Sequence, residues 1–129
     1  MKILILDDME LRHNAFANFF RGHDVTHAFT FSEFVDFLNE SSPFDLICLD
    51  HDLGDFIKNP DFWLDSQGRK REFNGQHAAI KVTELPDDML PRQVLIHSIN
   101  PVGAQAMLKI IRNKGLNVIV KPFKETDYI

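Results

Sequence analysis

Leu46-Ile47-Cys48-Leu49-Asp50-His51-Asp52-Leu53-Gly54 is an apolar run that stops on two carboxylates bracketing a histidine. Such a run suits a strand buried on both faces, and in a doubly wound sheet the carboxyl end of that strand opens into the ligand crevice. Asp50 is therefore the first candidate for chemistry. Alternation along an extended segment leans Asp50 and Asp52 to one side and His51 to the other. Two carboxylates this close repel at neutral pH unless a cation or a shared proton relieves them, which points to a metal or to a raised pKa.

Outward from this stretch the chain alternates strand and helix patterns. Lys2 to Leu6 reads as a strand ending on Asp7 and Asp8, and Met9 to Phe20 as a helix with Leu11, Ala15, Phe16, Phe19 and Phe20 turned to the core, closed by Gly22. Val25 to Phe29 is a second strand. Thr30 and Glu33 form a capping box for a helix carrying Phe34, Val35, Phe37 and Leu38, and Pro43 marks the turn into the strand at 45–49. Gln76 to Leu85 reads as a short helix and Val94 to Ile96 as a strand running into His97 and Ser98. Asn100 caps a helix from Pro101 to Lys114 that turns Ala104, Met107, Leu108 and Ile111 inward, and Gly115 ends it. Val118 to Val120 is the last strand, followed by Lys121-Pro122-Phe123 and six more residues. Five strands separated by helices predict a parallel sheet whose strand-end polar residues collect on one edge. The segment 55–74 breaks the rhythm as an inserted loop, far longer than the usual connection of roughly 2–6 residues.

The 129 residues are expected to form a single α/β domain, and 14 Lys and Arg against 19 Asp and Glu, a formal charge of −5, argue against indiscriminate nucleic-acid binding. Cys48 is the only cysteine and reads as a buried thiol. The start is too short and too quickly acidic for a signal peptide, and no apolar run is long enough to span a membrane, so a soluble cytoplasmic protein is expected.

The strand-end set is Asp7 and Asp8, Asp50, Ser98 and Lys121. Carboxylates bind a hard divalent cation, a hydroxyl donates to a phosphoryl oxygen, and an ammonium stabilises its charge. This ordered set resembles the receiver domain of bacterial response regulators, from the first strand to Phe123. The resemblance implies a flavodoxin-like sheet of order 2-1-3-4-5, magnesium or manganese held by Asp7, Asp8 and Asp50, and Asp50 as phosphoacceptor. It also implies Ser98 as the switch hydroxyl and a cis bond at Lys121-Pro122. Three departures stand out: the family's last helix is reduced to 124–129, the 55–74 loop is inserted, and Ile99 stands where a small residue is usual.

Asp52 adds a chemical departure, because Asp50-x-Asp52 with Ser98 and Lys121 is similar to the set of haloacid-dehalogenase-type phosphatases, whose second acid moves protons. His51 and His97 stand beside receiver positions. Together, Asp50-His51-Asp52-Leu53-Gly54 and His97-Ser98-Ile99-Asn100-Pro101 resemble the divergent receiver subgroup proposed to process cyclic phosphates. That resemblance implies metal-dependent phosphoesterase-like chemistry on a small cyclic phosphate, with Asp50, His51, Asp52, His97, Ser98 and Lys121 as catalytic residues. The alternative is a phosphorylation switch fed by a histidine kinase and read by an effector protein. Plainer readings stand beside these: a vestigial acidic pocket, Ser98 as a helix cap, Asp52 as a turn cap, and His51 and His97 as hydrogen-bonded locks. In the insertion, Phe56, Phe62, Trp63 and Phe73 with Lys58, Arg69, Lys70 and Arg71 fit either a lid that stacks a nucleobase or a loop docked on its own domain. His13, His23, His27 and His77 show no partner in the sequence.

Overall fold

The computed structural model describes residues 1–53 and 62–128; Gly54, Asp55, Phe56 and Lys58, named above, lie outside the described residues. In chain order the elements are β1 (Lys2–Leu6), α1 (Glu10–Phe19), β2 (Asp24–Ala28), α2 (Phe31–Ser41), β3 (Leu46–Leu49), β4 (Phe62–Leu64), β5 (Lys70–Glu72), α3 (Gly75–Thr83), β6 (Gln93–Ile96), α4 (Pro101–Asn113) and β7 (Asn117–Val120). The main sheet is parallel, in the order β2-β1-β3-β6-β7, which is the expected 2-1-3-4-5 once the separate β4-β5 hairpin is set aside.

Alternation along the strands divides the core into two layers. Leu4 and Leu6 of β1, Ile47 and Leu49 of β3 and Val94 and Ile96 of β6 face α2, α3 and α4, meeting Phe34, Leu38, Ala78, Val82, Met107 and Ile111. Ile3, Ile5 and Cys48 point the other way, toward Phe16 and Phe20 of α1 and Tyr128. Cys48 is fully buried, and that burial pushes its thiol pKa up. Among the described residues after Phe123 the second layer is completed by a 3-10 turn, Glu125–Tyr128, whose tyrosine packs on Phe16, Phe19 and Phe123. Ile119, which a longer last helix would cover, stays exposed.

Local signals set the helix starts. The Thr30 hydroxyl accepts from the Glu33 N–H at 3.1 Å and the Glu33 carboxylate accepts from the Thr30 N–H at 3.2 Å, the expected capping box. Asn100 Oδ1 accepts from the Gly103 N–H at 3.1 Å, with Pro101 at the first helical position. In α1 the expectation fails in part: Leu11 and Phe19 are exposed, and the inward stripe runs through His13, Phe16 and Phe20. The expected cis bond is also corrected. Among the described residues the cis peptide is Ser42–Pro43, while Lys121 and Phe123 N–H groups continue the sheet by donating to the Ile96 and His97 carbonyls.

The inserted segment is structured over its described part. Trp63 pairs with Arg71 across the antiparallel β4-β5 hairpin, and Asp65 at the turn accepts from both Arg69 and Arg71. Phe73 stacks on Phe31 with ring centroids 4.3 Å apart, so the docked-loop reading holds for this aromatic. Phe62 and Trp63 stay substantially exposed. His77 has partners after all: its Nδ1 accepts from the Asn74 N–H at 3.1 Å, and its ring lies against Phe73 and Trp63.

Candidate metal centre at the sheet edge

Asp7, Asp50 and His97 follow β1, β3 and β6, three adjacent strands, so parallel register brings them to one point. All three are buried, and one ligand atom from each lies within 4.8 Å of the others. Asp8, half-buried next in the chain, stands outside that trio, although its charge reaches Asp50.

Asp7 is fixed on every side. Its N–H donates to the Ala28 carbonyl, its Oδ1 accepts from the Met9 N–H at 2.8 Å, and its Oδ2 accepts from His97 Nε2 at 2.9 Å. Its carbonyl accepts from His13 Nε2 at 2.7 Å, so His13 carries its proton there. His13 Nδ1 is then the acceptor in its 2.7 Å contact with His27 Nδ1, and a relay of two neutral imidazoles runs from β2 through α1 to the Asp7 backbone. His13 and His27 are thus supports of the Asp7 backbone that the sequence did not mark, their link being a contact between α1 and β2.

Burial alone would raise the Asp7 pKa, but the hydrogen bond and charge of His97, the Met9 N–H and Arg12 together hold it below the usual carboxylate range. Burial likewise holds His97 below its ordinary value against the pull of Asp7. A neutral His97 donating to an ionised Asp7 satisfies both. His97 Nδ1 then faces the interior without a hydrogen bond.

Asp50 behaves in the opposite way. Burial and the nearby Asp7 charge push its carboxyl up to about 7, against the opposing influence of Arg12 and the His51 N–H, which donates to Asp50 Oδ1 at 2.9 Å. The raised carboxylate expected from crowding by Asp52 comes instead from burial and from Asp7 across the sheet. Arg12, unmarked in the sequence, supplies the only guanidinium contact to this centre among the described residues: Nη1 lies 3.4 Å from Asp7 Oδ2 and 3.3 Å from Asp50 Oδ2. Two buried acids, one held low and the other raised to about 7, brought together by one loosely bridging cation, form a donor set that suits a hard divalent ion. Asp7, Asp50 and the adjacent Asp8 would hold it.

The other expected residues divide. His51 is wedged beneath α4, so close that a Cβ on Gly103 would lie 2.4 Å from its ring. Its Nε2 accepts from the Gln76 amide at 3.2 Å, leaving Nδ1–H to donate to Asp52 Oδ1 at 2.8 Å. The chain has already turned after Leu49, so His51 and Asp52 meet instead of leaning to opposite sides. Asp52 is 65% exposed and also approached by the Asn100 amide at 3.4 Å. Ser98 is buried, its hydroxyl accepting from the Asn100 N–H at 3.1 Å; the helix cap is Asn100, so the hydroxyl fixes the turn before the helix and does not cap it. Lys121 is exposed, and its ammonium pairs with no carboxylate among the described residues. Ile99 is exposed as well.

The His13–His27 pair yields a stability test. Burial lowers the pKa of both rings below 6.5, so the folded protein favours their neutral forms. A group depressed in this way contributes stability that is full above its unfolded pKa of about 6.5 and is lost as the pH falls from there toward the folded value. The contribution of these two rings is expected to fall between about pH 7.5 and 5, so over that range thermal melts should show the wild type losing stability relative to His27→Gln, which keeps a donor but does not titrate, while Asp50 titrates in both. Parallel pH profiles would contradict this account.

The family model of the cyclic-phosphate processing receiver domain matches residues 2–113. The chain belongs to that family. Solved receiver structures share its fold. The signal receiver domain of a LuxO repressor protein from Vibrio parahaemolyticus aligns at TM-score 0.64 and 17% identity over 98% of this chain and 82% of that one. The N-terminal domain of a response regulator/sensory box/GGDEF protein from Carboxydothermus hydrogenoformans gives 0.61 and 22%, covering 98% and 86%. NtrX from Brucella abortus, solved in complex with ADP, gives 0.63 and 19%; the receiver studied spans 98% of its own length but only 25% of that chain. The comparison with curated proteins gave no match. No helix among the described residues is long and apolar enough to cross a membrane.

Proposed function

We propose that this receiver hydrolyses a small cyclic phosphate at the Asp7–Asp50 centre, with magnesium or manganese held by Asp7, Asp8 and Asp50. The observation that carries the reading is the buried pair of carboxylates, one with its pKa raised to about 7, in a chain of the cyclic-phosphate processing receiver family. When bound, a divalent cation supplies positive charge to the phosphoryl oxygens. His97 orients Asp7, and His51 orients Asp52. In this reading a water oxygen bonds to phosphorus and one ring P–O bond breaks. Asp52 takes the proton from the attacking water, while the leaving oxygen is protonated from solvent. Ser98 and Lys121 steady the phosphoryl oxygens. The exposure of Asp52 and the hydrogen bond it accepts from His51 support its assignment as the general base.

The test is hydrolysis of 2′,3′-cyclic, 3′,5′-cyclic and linear phosphoesters with and without magnesium or manganese. Turnover is expected on a cyclic member only with metal, and Asp52→Ala should lower it by about 10²–10⁴-fold, the range for losing a general base. Wild-type turnover in Asp52→Ala would remove Asp52 from the mechanism. The second reading, a phosphorylation switch on Asp50 fed by a histidine kinase, is supported by Asp50, Ser98 and Lys121 following β3, β6 and β7 as in receivers. If the metal binds but no phosphoester turns over, labelling of Asp50 by a small acyl-phosphate donor becomes the decisive assay. A cytoplasmic location is proposed with either reading.

A further inference from the structure

We propose that Arg12 has two positions: in the metal-free protein it is the counterion of Asp7 and Asp50, and with a divalent cation seated there it turns to clamp the phosphoryl group of the ligand. The proposal rests on the metal-centre reading above. It names a residue that neither the receiver pattern nor the strand-end set contains.

The contacts of Arg12 are those of a provisional partner. One nitrogen, Nη1, serves both carboxylates at 3.4 and 3.3 Å, whereas a settled guanidinium–carboxylate pair closes to about 2.7–2.9 Å and uses two nitrogens in parallel. The Nε and Nη2 donors, which together form the side-on fork that matches a phosphate, have no hydrogen bond among the described residues. The side chain is nevertheless mostly buried at 13% exposure, so water reaches little of it and the fork is left for another partner.

A divalent cation would displace Nη1. With twice the charge and oxygen contacts near 2.1 Å in place of about 3.3 Å, it interacts with each carboxylate roughly threefold more strongly at equal dielectric, and it repels the guanidinium. Arg12 would not then leave the site. Its guanidinium carbon lies 5.5 Å from the centre of the Phe123 ring, just beyond Lys121 and Pro122, and the ring face retains a cation. Its backbone is fixed as well, because the next residue, His13, is locked to the Asp7 carbonyl. Charge also balances: three ionised acids, one divalent cation and one guanidinium sum to zero, so an arriving phosphoryl anion meets no net negative field.

The proposal is tested on the full chain with manganese and inorganic phosphate as probes. Manganese affinity, read by electron paramagnetic resonance, is expected to rise about three- to tenfold in Arg12→Ala, because the internal competitor is gone. Phosphate binding to the manganese-loaded protein, read by calorimetry, should weaken by about tenfold or more in the same variant. Arg12→Lys keeps the positive charge and guards against misfolding; it should restore near-normal manganese affinity yet still bind phosphate weakly, since an ammonium lacks the fork. Unchanged or weaker manganese binding in Arg12→Ala, or unchanged phosphate binding in both variants, overturns the proposal. A wild type that binds no manganese overturns it together with the metal centre. A wild type that binds manganese but opens no cyclic phosphate defeats the proposed reaction and leaves the two binding readouts to decide on Arg12.

Discussion

Replacing Asp50 with Asn is expected to stabilise the metal-free protein at pH 8 and to abolish both its response to magnesium and any turnover. The folded-state pKa of Asp50 is raised from 3.8 to about 7, chiefly by burial and then by the Asp7 charge. A raised acid contributes its stability at low pH and loses it as the pH climbs through about 7, so the ionised carboxylate is a liability at pH 8. Three pKa units bound that cost at about 4 kcal/mol. The Asn amide returns only part of it, because its Nδ2 donors would face the donors of Arg12. A net gain of about 1–3 kcal/mol, or roughly 3–10 °C in the midpoint, is expected at pH 8, shrinking toward zero below pH 5. The difference between variant and wild type isolates Asp50 from the histidines that titrate in both. In the wild type, magnesium at a hundred times its Kd should add about 2.7 kcal/mol, increasingly as the pH rises through 7 and Asp50 loses its proton. Thermal melts at pH 5 and 8, with and without magnesium, check all of this. An Asn variant that still responds to magnesium would remove Asp50 from the centre.

Much of this centre could be read in the sequence because strand ends in a parallel sheet are fixed by topology. Once β1, β3 and β6 were recognised, Asp7, Asp50 and His97 had to share an edge, whatever the loops did. What could not be read were the partners supplied by a helix face. The apolar residues of α1 suit more than one stripe, and Leu11 and Phe19 were assigned inward. In the structure the stripe is rotated so that His13 reaches Asp7 and Arg12 reaches both acids. A helix rotation of one residue is a small change in periodicity but decides which charge enters the site. His51 and Asp52 show a second limit: alternation holds only while the strand lasts, and β3 ends at Leu49. The packing of Tyr128 on Phe16 was not legible either, since it too depends on the α1 face.

Gly75→Ala is the other change with a large expected effect, and it links the fold to the site. Gly75 opens α3, and its N–H donates to the His51 carbonyl at 2.8 Å. A Cβ here would lie 2.2 Å from the Asp50 carbonyl oxygen, 2.7 Å from His51 Cα and 2.8 Å from Met107 Cε. The methionine end can give way, but the first two contacts are backbone at the end of β3. Alanine normally gains up to about 1 kcal/mol over glycine in a helix interior, less at the first position, and overpacking against fixed backbone costs about 1–3 kcal/mol or more. The clash wins, so a net loss of about 2 kcal/mol is expected in urea denaturation. Relief requires α3 to retreat or the 50–51 backbone to shift, and either moves the Asp50 carboxylate relative to Asp7. Manganese affinity should therefore fall along with stability. Gly115→Ala is the control, because a Cβ there meets nothing within 4 Å and only its φ of +87° is strained. It should lose about 1 kcal/mol with manganese binding unchanged. Equal manganese affinities in the two variants would mean that the close approach of α3 to β3 serves packing and does not place the acid.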